Sequence, residues 1–318
     1  MLATLTDERF SDPGWLFERK FDGERVLVFC KGKRVRLLSR NRKLLNNTYP
    51  ELVGAYRKRA NGNFIVDGEV VAFHGRITSF SRLQGRMQLT DPDKARKSRI
   101  AIYQYLFDLL FLDGYDTTHL PLRHRKMLLH KALKFTGPLR FSAHRVKEGE
   151  KFYKEACNVG LEGLIAKNAD SEYVHCRSRD WLKFKCVNEQ EFVIGGFTPP
   201  AGARKHFGAL LVGYYDKDRL LFAGKVGTGF DTKLLSTLHK KMRAEERSTC
   251  PFADLPSKQN GEWVQGITPG EMRKYTWVNP KFVCQVKFAE WTRDGKLRQP
   301  VFLGLRQDKD PREVIRET

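Results

Sequence analysis

Short runs of apolar, aromatic and β-branched residues, cut by turn signals, recur along almost the whole chain and confine it to sheet-rich folds. "ERVLVFC" and "RVRLLSR" flank Lys31-Gly32-Lys33 and predict a β-hairpin, and "NFIVDGEVVAF" predicts another strand with Asp67-Gly68 inside or beside it. "IAIYQYLFDLLFLDG" is too aromatic and β-branched at its start for an ordinary helix; it reads as a buried strand ending at Asp113-Gly114. Helices are interspersed. In "FSRLQGRMQ", Ser81 stands three residues before Gln84, the spacing of a capping box. Pro121 opens the amphipathic "PLRHRKMLLHKALKF", with apolar positions at Leu122, Leu129 and Leu133, and "GEKFYKEACNVG" ends on Gly160 as a C-cap. "EGLIAKN" and "WLKFKCV" predict closing strands. Strands before, between and after helices imply an α+β domain built on antiparallel sheets over residues 1–187.

From about residue 189 the texture changes. "EFVIGGF", "GALLVGYY", "RLLFAGKVG", "KFVCQVKFAEW" and "PVFLGL" are five short β-type runs, with one helix, "DTKLLSTLHKKMRAEE", inserted among them. That pattern fits a small closed β-barrel of the OB type over residues 188–318.

The strongest functional signal in the composition is a net charge of +21 over 318 residues. Residues 1–187 hold 36 basic against 21 acidic side chains and the remainder 22 against 16, so the excess is concentrated in the first domain. Such an excess in a folded protein points to a polyanion, and nucleic acid is the expected partner. No apolar run approaches the ~18 residues of a membrane span and no targeting segment is visible, which predicts cytoplasmic residence and no membrane partner. The six cysteines form no C-x-x-C pair and no zinc-type cluster with histidine; they are expected to be reduced and structural.

The chemistry centres on "WLFERKFDGERVLVF", where Lys20 precedes an Asp-Gly pair. A lysine becomes a nucleophile only where its surroundings free its lone pair, and Arg19 and Arg25 supply nearby positive charge. Asp22-Gly23 reads as a tight turn with Lys20 at the end of one extended segment and Arg25 at the start of the next. An ordinary surface hairpin explains the stretch equally well by itself.

Taken with the rest of the chain, Glu-x-Lys-Phe-Asp-Gly-x-Arg resembles the first signature of the ATP-dependent DNA ligases. The later signatures follow in the family's order: "SRNRK", "VDGEVV", "YLFDLL", "EGLIAKN", "WLKFK" and "RQDKD". The second half, with "FGALLVGYYD", "GKVGTGF" and "PVFLGLRQDKDPREV", is most similar to the ligase domain of bacterial ligase D, a non-homologous end-joining enzyme. The resemblance implies an adenylation (nucleotidyltransferase) domain followed by an OB-fold domain. It implies that Lys20 attacks the α-phosphate of ATP and carries AMP, that Glu18 meets the adenine amino group and that Phe107 stacks on the base. Arg25 and Arg40 would hold phosphates or sugar, and Lys183 and Lys185, alternating on one strand face, the α-phosphate. Glu69 and Glu162 would bind Mg²⁺, for which Mn²⁺ can substitute, with the ribose as an alternative for Glu69. Asp22 and Asp67 are weighed between structural and metal-binding roles, with structure favoured for Asp22.

In the second domain Arg306, Asp308 and Lys309 would orient the departing pyrophosphate, with a hinge near Val187 to Gln190. Implied partners are duplex DNA with nicks or ends, the Ku end-binding protein, and separate polymerase and phosphoesterase proteins; a monomer is expected, nucleoid-associated if bacterial. An RNA ligase or a capping guanylyltransferase of the same superfamily stays open, as does a non-catalytic nucleic-acid-binding protein.

Overall fold

The computed structural model describes residues 1–59, 62–200, 202, 205–255, 267 and 269–317. Two compact units divide the chain, Met1–Cys186 and Val187–Glu317.

The first unit contains two sheets. One is five-stranded, in the spatial order Leu2–Leu5, Arg177–Lys185, Gly163–Asn168, Trp15–Arg19, His144–Val146. The other runs from Arg34–Ser39 through Glu24–Lys31 and Asn63–His74 to Ile102–Leu112 and Tyr115–Asp116, with short strands at Ile77–Thr78 and Leu139–Phe141 attached. Pairing is antiparallel except for Leu2–Leu5 on Arg177–Lys185 and Leu139–Phe141 on Ile102–Leu112. The α+β reading of this unit stands.

Alternation along the strands decides what each sheet buries. In the larger sheet Val26, Val28, Val66, Val70, Leu106 and Leu109 enter one core with Leu52 and Tyr56 of the helix Pro50–Arg59 and Leu83 of the helix Phe80–Met87. In the smaller sheet Phe17, Leu164, Ala166, Leu182 and Phe184 pack with Ala156 of the helix Gly149–Asn158. The opposite faces carry polar side chains together with a smaller apolar cluster of Met1, Leu110, Tyr173 and Trp181, against which Phe107 packs.

Three expectations need correction. The Asp-Gly pair after Lys20 does not close a hairpin: Trp15–Arg19 belongs to the smaller sheet and Glu24–Lys31 to the larger, so the chain crosses between sheets there. Gly23 is required by close approach, since a Cβ there would lie 2.2 Å from the Val70 carbonyl oxygen and 3.0 Å from Glu69 Cγ. Asp22 serves the crossing, accepting the Phe80 N–H at 3.0 Å while its own N–H donates to Thr78 Oγ1 at 3.3 Å. Gly23→Ala is therefore expected to cost about 2 kcal/mol or more, because the obstacle is backbone. A thermal melt unchanged from the parent would remove this explanation.

The capping residue of Phe80–Met87 is Ser79, not Ser81: its side chain accepts the Arg82 N–H, so Gln84 does not stand at the third helical position that a capping box needs. Finally, the cysteines are not all reduced, because Cys157 and Cys186 are disulfide-bonded. Packing of the Gly149–Asn158 helix on the smaller sheet brings their Cα atoms to 5.1 Å. The 29 residues between them conceal the pair from any spacing rule.

In the second unit the strands Arg219–Val226, Leu210–Asp216, Asn188–Phe197, Thr276–Phe288 and Val301–Leu305 pair in that order. Thr228 then bridges Val301 and its carbonyl accepts the Phe302 N–H at 2.9 Å, which brings the first strand's end to the last and closes the barrel. Phe192, Ile194, Val212, Val226, Val286 and Phe302 fill it, together with Leu235, Leu238 and Met242 from the helix Thr232–Arg243. Asp231 caps that helix through the Leu234 N–H at 2.7 Å. The OB-type expectation matches this arrangement. Among the described residues no helix is long and apolar enough to cross a membrane.

Candidate active site

The polar face of the smaller sheet is written in its register. Glu18 lies opposite Ile165 and His144, Ile165 opposite Lys183, Lys167 opposite Trp181, and Gly163 opposite Lys185. Directly opposed residues share a face, so Glu18, Lys167, Trp181, Lys183 and Lys185 project to the side away from the Phe17–Phe184 core. Lys20 continues that face past the strand end, its N–H donating to the Gly163 carbonyl at 2.9 Å. Gly163 has φ +145° and no room for a side chain, with the Phe184 carbonyl oxygen 1.9 Å from a Cβ position. Glycine after Glu162 is thus what lets this strand lie close enough to bring Glu162 to Lys20.

Lys20 Nζ donates to Glu162 Oε1, the two side chains being 19% and 7% exposed. Burial pulls the lysine down, but Glu162, reinforced by Asp22 and Glu69, outweighs it and holds the ammonium above the ordinary lysine range. Glu162 Oε2 is buried and has no hydrogen-bond partner among the described residues.

The larger sheet supplies Arg25, Glu69 and Phe107. Glu69 stands between Arg25 and Tyr105 in register. Phe107 is the extra residue of a β-bulge, since Asp67 pairs with Asp108 and Gly68 with Leu106. Its ring meets Trp181 edge-on at 5.8 Å between centroids, with Lys167 Nζ 4.3 Å and Arg25 Cζ 5.5 Å from its centroid. The two sheets therefore face each other across Phe107, Trp181 and Lys167.

Arg25 and Glu18, both expected to bind the nucleotide, are engaged within the protein. Arg25 forms a forked pair with buried Asp67, at 3.0 and 2.5 Å, and donates to the Met1 carbonyl at 2.6 Å. Tyr173 adds a hydrogen bond to Asp67 Oδ2 at 2.8 Å. Asp67 is accordingly a holder of Arg25. Glu18 accepts from Lys126 Nζ at 2.7 Å and Ser142 Oγ at 2.6 Å, with Lys167 Nζ at 3.1 Å. Burial would raise the Glu18 carboxyl, but the two lysines keep it below the usual range, whereas burial brings the Lys167 ammonium down to about 8 against the pull of Glu18. Arg40 is half-buried in the turn after Arg34–Ser39, one residue past the Val26–Ser39 pair.

Arg306, Asp308 and Lys309 assemble in the second unit. Asp308 accepts from Arg306 Nε at 2.9 Å and Nη2 at 2.8 Å, and Glu191 pairs with Lys309 at 3.1 Å. Among the described residues no three histidine, cysteine or acidic side chains cluster as a metal site by themselves.

Sequence reasoning missed Lys126, Ser142, Lys167, Trp181 and Glu191. Lys167 was detectable, because it alternates with Gly163 and Ile165 along one strand face. Lys126 falls on the stripe set by Leu122 and Leu129, where a lysine has to be buried or paired.

Comparison with known proteins now decides the family. The model for the ATP dependent DNA ligase domain matches residues 1–185, and that for the ATP dependent DNA ligase C terminal region matches residues 203–309. The chain belongs to the ATP-dependent DNA ligases. It is 37% identical over 310 residues to the multifunctional non-homologous end joining protein LigD of Pseudomonas aeruginosa, covering 95% of this chain and 35% of that protein. Over 316 residues it is 31% identical to a DNA ligase of Thermococcus fumicolans, covering 94% of this chain and 53% of that one. The chain thus spans little more than a third of the LigD relative and about half of the archaeal one. Among solved structures, a mycobacterial DNA ligase D complexed with ATP and MES superposes with a TM-score of 0.68 at 31% identity, covering 100% of this chain and 97% of that one.

Proposed function

We propose that this DNA ligase seals 5′-phosphate/3′-hydroxyl breaks in duplex DNA through AMP carried on Lys20, in repair by end joining. The observation that carries the reading is the position of Lys20 at the sheet crossing. Its amine is paired with Glu162 on the face that presents Lys183 and Lys185, and Phe107 and Glu69 come from the facing sheet.

The Lys20 ammonium first passes a proton to the Glu162 carboxylate already hydrogen-bonded to it, the freed Nζ lone pair attacks the α-phosphorus, a P–N bond forms as the bond to pyrophosphate breaks, and the second proton leaves Nζ to water. Lys183 and Lys185 bind the α-phosphate oxygens, Phe107 the base, and Arg25 and Arg40 the sugar or phosphates. The AMP then passes to the 5′-phosphate of the DNA, and the neighbouring 3′-hydroxyl displaces it. Little covalent work beyond the nucleophile is needed in such transfers; charge and position do the rest. Glu162 Oε2, without a partner among the described residues, and the Glu69 carboxylate fit Mg²⁺ or Mn²⁺, which takes one or two carboxylates alongside water and phosphate oxygens and would supply charge compensation for the phosphates.

Duplex DNA would be held mainly through phosphates by the basic surface, without sequence preference. The likeness to a non-homologous end joining protein supports double-strand ends as a substrate. Ku, polymerase and phosphoesterase proteins as partners, and cytoplasmic, nucleoid-associated residence of a monomer, belong to the same proposal.

The test uses α-labelled ATP with Mg²⁺, then nicked and broken duplexes. Label stable to denaturation but released by acid, followed by sealing that weakens steeply with salt, is expected. Preferential labelling by GTP would move the chain to the capping enzymes.

A further inference from the structure

Glu18 precedes the nucleophile by two residues on the same face, yet its carboxylate is 2% exposed and held by three separate elements. Lys126 comes from the helix Leu122–Ala132 and also donates to the Ser142 carbonyl at 2.9 Å. Ser142 follows the short strand Leu139–Phe141, and Lys167 lies on Gly163–Asn168. A structural ion pair needs one lysine; here two buried lysines meet one carboxylate, and an excess buried charge is costly. The faces of Phe107 and Trp181, 4.3 and 4.1 Å from Lys167 Nζ, and of Phe141, 4.7 Å from Lys126 Nζ, offset part of that cost. Of the other titratable groups near Glu18, Asp108 is taken by Arg125 at 2.7 Å, and His144 is kept below the usual imidazole range by burial and Lys126. What the cluster achieves is a carboxylate fixed in orientation and without a proton.

We propose that Lys126, together with Ser142, is a positioning residue for nucleobase selection: it holds Glu18 as a fixed hydrogen-bond acceptor, so that the site takes a 6-aminopurine triphosphate in preference to a 6-oxopurine one. The inference rests on the reading of Lys20 as nucleophile and Glu18 as its base-contacting neighbour. A proton-free carboxylate accepts from an amino group and repels the lone pairs of an oxo group. Without Lys126, burial pushes Glu18 towards protonation against Lys167 alone and the carboxylate loses one of its holders, and a protonated or loosened acid discriminates less between the two groups.

The experiment compares covalent labelling of the chain by α-labelled ATP, GTP and purine riboside triphosphate, which has no 6-substituent. In Lys126→Met the preference for ATP over purine riboside triphosphate falls about tenfold, the scale of one charge-assisted hydrogen bond. The loss lies in the KM for ATP, while kcat changes little because Lys20 keeps Glu162. Ser142→Ala shifts the ratio the same way and less, and Lys126→Arg restores part of it. An equal loss with all three nucleotides, or an unchanged ratio in a cooperatively melting Lys126→Met, overturns the proposal. Should that variant not fold, Ser142→Ala decides alone, an unchanged ratio counting against. A parent chain that labels with no nucleotide sinks the proposed function itself, whereas a labelled parent with indifferent variants sinks only the role of Lys126.

Discussion

Lys20→Arg will fold, keep its ion pair with Glu162 and form no covalent adduct with AMP. The guanidinium replaces the ammonium opposite Glu162 Oε1 but does not deprotonate in proteins, so it cannot attack phosphorus. Labelling by ATP is expected to fall by more than about 10⁴-fold, the scale seen when a covalent nucleophile is removed. Lys20→Ala should abolish labelling as well, with an added cost: Glu162 is only 7% exposed on its side chain and would be left as a buried charge without its partner. Breaking such a pair costs about 3–5 kcal/mol, so the alanine variant should also melt earlier. Comparing the two separates chemistry from stability. DNA supplied already adenylated at a nick bypasses the lysine's attack, and sealing of it should survive in Lys20→Arg. Residual acid-labile label on either variant would mean that another residue carries the AMP.

Much of this architecture was legible from alternation and turn residues, because a strand must show one apolar face whatever it pairs with. Hence Ile102–Leu112 and the barrel strands are recognisable locally. Partner identity is not local. Glu24–Lys31 and Trp15–Arg19 look like the arms of a hairpin across Asp22-Gly23, yet each finds partners far along the chain, and the pair between them becomes a crossing. The same non-locality hides the Cys157–Cys186 disulfide and the bulge that sets Phe107, since both depend on which strand lies beside which. For the site, Lys20 stood out beside its Asp-Gly pair, whereas Glu162 came only with the resemblance to the ligase signatures. Residues that act by holding another one did neither: Lys126 reads as one more helix lysine until Leu122 and Leu129 on either side of it are seen to be buried.

Loss of Arg306 or Asp308 should divide the reaction. Arg306 and Asp308 form a forked pair, 10% and 3% exposed, so the acid fixes the plane of the guanidinium, while Glu191 holds Lys309 alongside. In the proposed pyrophosphate-orienting role, an anion placed there would not bind pyrophosphate itself; it would aim the cation that does. Arg306→Ala removes the charge and Asp308→Ala removes its aim, and each should slow self-adenylation by about 10²–10³-fold, the usual effect of losing one preorganised electrostatic contact to a transition state. Arg306→Lys should recover little, because an ammonium cannot take both Asp308 oxygens in a fork. Sealing of a pre-adenylated nick releases AMP and not pyrophosphate, so it should proceed at close to the parent rate in all three variants. Single-turnover rates for the two steps, measured on the same preparations, provide the comparison. Equal loss in both would place these residues in DNA binding or in barrel stability, and a melting curve for the second unit would tell those two apart.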